Sequence, residues 1–248
     1  MKVLFISHKP PYPIIDGGCH AMDRMLRDFV FSYPDASITY LSIETEKHPG
    51  KTNSAPIDLL NNVEFISTKI STKINPISAL IHLFNKKSYH ISRFKNTNLK
   101  ECIHTLLRRQ KFDVIIFESI FSAGYIDFIK TRSKAKLVYR AHNIEHKIWM
   151  DLSRGERNPL KKWYLKHLAN RLKSFELDFL NKIDLVFSIS DLDQLFFENN
   201  TKTFSKYIPA SMIPEITDFK TQNRMCFLGA YNWLPNKEGL FWFVNNVL

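Results

Sequence analysis

Two short stretches carry residue types able to hold a phosphate or steady a developing charge. The first is HKPPYPIIDGG, where Gly17 and Gly18 stand directly before a helical pattern. Paired glycines let a backbone approach a ligand closely. The first N–H groups of the helix beyond them are unpaired donors for a phosphate or carboxylate. Asp16 and His20 flank the pair and join it as candidate substrate- or phosphate-binding residues. A plain tight turn stiffened by Pro11 and Pro13 accounts for the same letters. Neither the G-x-G-x-x-G fingerprint nor a Walker A loop occurs.

The second stretch is RAHNIEHKIW, directly after an apolar run ending at Arg140. His142 is therefore expected at a strand's C-terminal end, on the same rim as the glycine loop. An imidazole there can hydrogen-bond a sugar hydroxyl or a developing charge, which makes His142 the candidate catalytic residue. Asn143 and Glu145 are candidate binding residues beside it. The plainer reading is a loop histidine next to Asn143 acting as a helix cap.

His142, Glu145 and His146 also spell H-x-x-E-H, an inverted zinc-hydrolase motif that needs both histidines on one helix face. A strand running up to Ala141 puts His142 ahead of any helix, and no third ligand is identifiable, so no metal is expected. Asp191-Leu192-Asp193 resembles a metal-binding D-x-D. Ser190 with Asp193 forms a variant capping box that explains those acids instead.

Short apolar runs alternate with amphipathic helical patterns along the whole chain. Candidate strands are Lys2–Ser7, Ser37–Ser42, Val63–Ser67, Asp113–Glu118, Lys136–Arg140 and Asp184–Ile189. Several are unbroken runs of β-branched and aromatic residues, as in a parallel sheet covered on both faces. Helical stripes lie at Met22–Val30, at Leu99–Leu107 and after Pro159. The expected fold class is α/β: a doubly wound, mostly parallel, Rossmann-like sheet.

Residues 1–207 are read as one domain and 208–223 as a linker. Residues 224–248 are read as the first strand (Phe227–Ala230) and helix of a second, incomplete domain. Leu240, Val244, Val247 and Leu248 repeat at helical spacing up to the last residue without a C-cap. Activity needing both halves is expected to be absent.

The 248 residues carry 35 Lys and Arg against 24 Asp and Glu, a net charge of +11. That balance favours anionic partners. Lys86, Lys87, Arg93, Lys95, Lys100, Arg108, Arg109 and Lys111 gather in one region. Lys161, Lys162, Lys166, Arg171 and Lys173 line the long helix, with Trp163 and Tyr164 among them. A basic helix with interfacial aromatics can lie on an anionic membrane surface, although a solvated face explains any single helix. No recognised nucleic-acid-binding motif is present, and no nucleic acid partner is expected. Three dispersed cysteines read as reduced thiols of a cytoplasmic chain, and MKVLFISHKP as a first strand rather than a secretory leader.

The order PPYP…DGG, AHNIEHKIW, the long helix, DLVFSIS and FLGAYNWLPNKEGLFWFV resembles the family 4 glycosyltransferases, retaining enzymes with two facing Rossmann-like domains (GT-B). The likeness runs across the chain, and W-x-P-N-x-x-G-x-x-W-F is its most specific piece. It implies transfer of a sugar from a nucleotide-sugar donor to a glycan or lipid-linked acceptor, without metal or cofactor. The acceptor class it implies is a cell-surface polysaccharide, lipopolysaccharide or glycolipid, made by an enzyme peripheral on the inner face of the membrane. Gly17 and Gly18 match the family's glycine loop and His142 its rim histidine. Electrostatic stabilisation of the departing diphosphate then carries much of the catalysis. Cys19 and His20 depart from the family's small residue and Arg, and the family's donor-gripping residues lie in a C-terminal domain. The competing classes are a zinc-dependent hydrolase and a non-catalytic anionic-ligand-binding module.

Overall fold

The computed structural model describes residues 1–50, 54–73, 75, 81–85, 87–211, 225–229, 231 and 234–248. A seven-stranded parallel sheet has the order β3-β2-β1-β4-β5-β6-β7. The strands are β1 (Lys2–Ser7), β2 (Ser37–Glu44), β3 (Val63–Lys69), β4 (Val114–Glu118), β5 (Lys136–Ala141), β6 (Leu185–Ser188) and β7 (Phe204–Tyr207). The helices are α1 (Gly17–Ser32), α2 (Ile57–Leu60), α3 (Tyr89–Ser92), α4 (Thr97–Arg109), α5 (Ile126–Lys130), α6 (Glu145–Gly155), α7 (Pro159–Leu180), α8 (Asp191–Asn200) and α9 (Leu234–Asn246). A 3-10 turn at Ile120–Tyr125 links β4 to α5.

Why the strands read as continuous apolar runs is plain from their burial. Val3, Phe5, Ile38 and Tyr40 pack with Leu26 of α1 on one face. Leu4, Ile6, Leu41 and Ile115 pack with Leu99, Ile103 and Phe179 on the other. Successive side chains point to opposite faces, so a strand covered twice has no polar alternation left to show.

All six expected strands are present, with ends shifted by a residue or two. The expected strand at Phe227–Ala230 is not: residues 227–229 carry no strand pairing, and Ala230 lies outside the described residues. Conversely, β7 was not expected. Its FSKY is a four-residue edge strand with Phe204 exposed, too short and too polar to stand out before its pairing with β6 is known. Of the linker 208–223, residues 212–223 lie outside the described residues. Ile208 still donates to the Ser188 carbonyl, so the chain stays on the sheet past 207.

The order reverses between β1 and β4, whose neighbours run outward on opposite sides. Ligands of open α/β sheets lie outside the C-terminal strand ends at such a switch point. His8 follows β1, Glu118 ends β4, and His142 follows β5, so sheet topology alone gathers them there.

Candidate functional site at the C-terminal rim of the sheet

Glu118 is the centre of the rim. Its side chain is 1% exposed and receives Arg140 Nη1 at 3.2 Å and His142 Nε2 at 2.7 Å. Burial alone would raise this carboxyl, but Arg140 and His142 outweigh it and hold it below the usual range. The ionised carboxylate only accepts, so His142 Nε2 carries a proton toward it. The His142 side chain is 12% exposed and held in one orientation by this contact.

Arg140 ties this cluster to the glycine loop: its Nη2 donates to the Ala21 carbonyl in the first turns of α1, at 3.1 Å. The expectation that the glycine pair and His142 share one rim is thereby met in the fold. Their roles toward a substrate belong to the proposal below.

His8 is a rim residue that the sequence does not single out. Its Nδ1 lies 3.3 Å from the Glu118 carbonyl, which can only accept, so Nδ1 holds the ring proton. Desolvation first, then the charges of Lys9 and His142, lower its pKa to about 3. His8 is thus a neutral imidazole at the switch point. The signal available in sequence was position alone, one residue past the end of the first strand.

Next to it, Ser119 takes φ 80° and ψ 150°. A side chain in that region costs about 1–3 kcal/mol and persists only where surroundings enforce it. Here the Ser119 N–H donates to the Arg140 carbonyl at 3.2 Å, and its own carbonyl accepts from Ser122 Oγ at 2.8 Å. The strained turn thus sets the angle at which β4 offers the Glu118 carbonyl to His8.

The glycine loop is held from beneath by Lys9, a second residue without a sequence signal. Lys9 Nζ lies 2.6 Å from both Asp16 oxygens. Asp16 caps α1 by accepting from the Cys19 N–H at 2.8 Å. Burial would raise the Asp16 carboxyl, but Lys9 and that N–H bring it down to about 2. Asp16 is therefore a permanent anion already seated on the helix start, where it orders the loop. His20 is exposed on α1, and Asn143 is exposed beside the rim.

The two glycines differ in what surrounds them. A Cβ on Gly17 would meet nothing within 4 Å, whereas one on Gly18 would meet Lys9 Nζ at 2.9 Å and Asp16 Oδ1 at 3.3 Å. Gly17→Ala is expected to leave thermal stability unchanged or slightly raised. Gly18→Ala should cost about 1 kcal/mol by pushing the ammonium off Asp16. Thermal melts check this, and equal effects would show that the Lys9–Asp16 pair does not hold the loop.

Glu145 is buried in the first turn of α6, with Asn143 Nδ2 3.5 Å from its Oε1. Desolvation, then the neighbouring Glu176 charge, raise it to about 7. His146 is tied elsewhere, its Nδ1 2.6 Å from Glu176 Oε2. The H-x-x-E-H letters therefore do not assemble a zinc site. His142 precedes the helix and bonds Glu118, His146 lies inside α6 and bonds Glu176, and no group of three ligating side chains forms among the described residues. Ser190 caps α8 through the Asp193 N–H at 3.4 Å, which accounts for Asp191-Leu192-Asp193.

A cavity of about 330 Å³ lies between α6, α7 and α8, lined by His146, Lys147, Met150, Asp151, Arg154, Lys173 and Phe196. It contains none of the rim cluster. Among the described residues, no helix is long and apolar enough to cross a membrane.

No protein-family model matches the chain, and no curated protein matches it. Solved structures do. A UGT transferase from Siraitia grosvenorii in complex with UDP shares 12% identity and a TM-score of 0.50, over 88% of this chain and 53% of its own. Phytolacca americana UGT2, complexed with UDP-2fluoro-glucose and pterostilbene, shares 11% identity and a TM-score of 0.51, over 88% and 56%. At such identity the likeness establishes the fold alone. The chain spans about half the length of these structures, as one Rossmann-like half of a two-domain protein would.

Proposed function

We propose that this chain is the acceptor-side half of a glycosyltransferase that moves a sugar from a nucleotide-sugar donor onto a cell-surface glycan or lipid-linked acceptor. One observation carries the reading: the Arg140–Glu118–His142 cluster stands with His8 at the switch point of a fold shared with UDP-sugar transferases. His142, oriented by Glu118, meets the donor sugar, and Gly17 and Gly18 let the donor phosphates or the acceptor approach the loop above α1. Asn143 and His20 flank that space, and no metal or cofactor is assigned a part.

We take the transfer to be retaining, as the sequence resemblance to family 4 implies, with the departing diphosphate helping to deprotonate the acceptor hydroxyl. His8 offers the other route, direct displacement with a side-chain base. A group that binds a proton only near pH 3 is a poor base at neutral pH, however, so His8 fits a hydrogen-bonding part. The chain spans about half of the two-domain structures, so we assign full transfer to two halves acting together and expect donor turnover near background from these 248 residues. The protein works at the cytoplasmic face of a membrane, where lipid-linked acceptors are met.

Titrating UDP-glucose, other nucleotide sugars and surface glycans into the isotopically labelled chain tests the reading by amide chemical shifts. Shifts clustered at Gly17, Gly18 and His142 are expected. Absence of shifts with every nucleotide sugar and every glycan would remove sugar transfer. Robust donor turnover by the chain alone would overturn the two-halves assignment, and an inverted product anomer would overturn retention.

A further inference from the structure

α6 and α7 form an antiparallel hairpin whose turn stands away from the sheet. His146, at the rim end of α6, pairs with Glu176 of α7. From Glu176 back to Pro159 the helix rises about 25 Å at its standard pitch. The residues between the helices, together with the first turns of α7, therefore project beyond the rim on which the site opens. The hairpin is braced at its base by Trp149, whose ring lies 4.0 Å from that of His90 in α3, and by buried Leu168, Ala169 and Leu172. A braced base leaves the tip free to meet something else.

The composition of the tip identifies what it meets. From Arg154 to Lys173 there are seven basic residues and one acidic, Glu156. Glu156 pairs with Lys161, while Arg157, Lys162 and Lys166 are exposed without an ion-pair partner among the described residues. Between these cations Leu160 is 79% and Trp163 58% exposed. A solvated helix face gains nothing from exposing Leu and Trp side by side. A phosphate-lined apolar boundary accepts all of these side chains at once, with the aromatic and aliphatic groups entering the acyl edge and the ammonium groups at headgroup level.

We propose that the tip of the α6–α7 hairpin is a docking surface for an anionic lipid bilayer, with Trp163 and Leu160 inserting and Arg157, Lys162 and Lys166 engaging the headgroups. This deepens the membrane part of the reading above and is independent of its sugar-transfer part. Docking by the tip turns the sheet's C-terminal rim toward the bilayer, which is where a lipid-linked acceptor would be offered.

The test is co-sedimentation of the 248-residue chain with phosphatidylcholine vesicles, with and without about one third phosphatidylglycerol, in the absence of donor and acceptor. Binding is expected only to the anionic vesicles, falling as salt rises past physiological strength. Lys162→Glu with Lys166→Glu should weaken it about tenfold or more, and Trp163→Ala with Leu160→Ala comparably. Both pairs are exposed, and circular dichroism confirms folding. Lys130→Glu with Lys134→Glu, at the opposite end of the sheet, should leave binding unchanged. Equal binding to neutral vesicles, loss in the distal control but not the tip variants, or binding to a short RNA as tight as to vesicles would each overturn the proposal. Sugar-induced amide shifts are measured without lipid, so either result can fail alone.

Discussion

Glu118→Ala is expected to destabilise the chain by about 3–5 kcal/mol, the cost of breaking a buried ion pair by removing one partner. Arg140 has a side-chain exposure of 3%. Without Glu118 its guanidinium keeps, among the described residues, the Ala21 carbonyl alone, and His142 loses its tether. For a chain of this size the melting temperature should fall by about 10 °C. Glu118→Gln retains the shape and an acceptor, so it should cost well under half as much. Pairing Glu118→Leu with Arg140→Met should recover most of the loss, because no stranded charge remains.

The pH dependence of this effect has a fixed sign. Glu118 is held below its unfolded value, so its contribution is present above about pH 4.3 and is lost as pH falls through the lower folded value. The gap between the native chain and Glu118→Ala should therefore narrow in acid. A fall in melting temperature of under about 3 °C at pH 7 would mean that the rim cluster does not hold the sheet edges together.

Much of this architecture was legible because burial on both faces writes strands as apolar runs, and six such runs gave the doubly wound sheet. Helix starts were legible for the same local reason: Ser190 with Asp193 reads as a cap from its letters and is one in the fold. The glycine loop and His142 could be placed on one rim because parallel strands put all their C-terminal ends on one edge. What could not be read was any partnership spanning long stretches of chain. Glu118 looked like the last residue of an apolar strand and Arg140 like the end of another. Only the β4–β5 register sets them side by side. His8 and Lys9 carry no mark of their surroundings in the letters: His8 is kept neutral by burial and by the charges of Lys9 and His142, and Lys9 is paired with Asp16 across the loop. The strand expected at Phe227–Ala230 shows the converse failure, since an apolar run pairs only where a neighbouring strand receives it.

Glu145→Gln is expected to stabilise the chain by about 3–4 kcal/mol at pH 8 and by well under about 1 kcal/mol at pH 4.5, the value following from the size of the shift. Glu145 is buried beside Glu176, so its native form keeps a proton up to about pH 7 that the unfolded chain releases near pH 4.3. For a group raised in this way, the stabilising contribution is complete below the unfolded value and is lost as pH rises through the folded one. Above pH 7 the native chain holds two carboxylates close together with little water, and Glu176 Oε1 has no hydrogen-bond partner among the described residues. A glutamine removes one of those charges and keeps the volume. His8 acts in the opposite direction: lowered to about 3, it adds stability that is complete above about pH 6.5 and is lost as pH falls. Between pH 4.5 and 6.5 the Glu145 slope opposes the rise from His8 and from His90, which burial lowers to about 4, so the native chain should gain stability with pH only weakly in urea unfolding. In Glu145→Gln the His8 and His90 slopes are left uncompensated, and stability should climb more steeply with pH across that window than in the native chain. Identical curves for the two chains at pH 8 would show that Glu145 is ionised and solvated in the fold, and would return it to the rim as an ordinary anionic side chain.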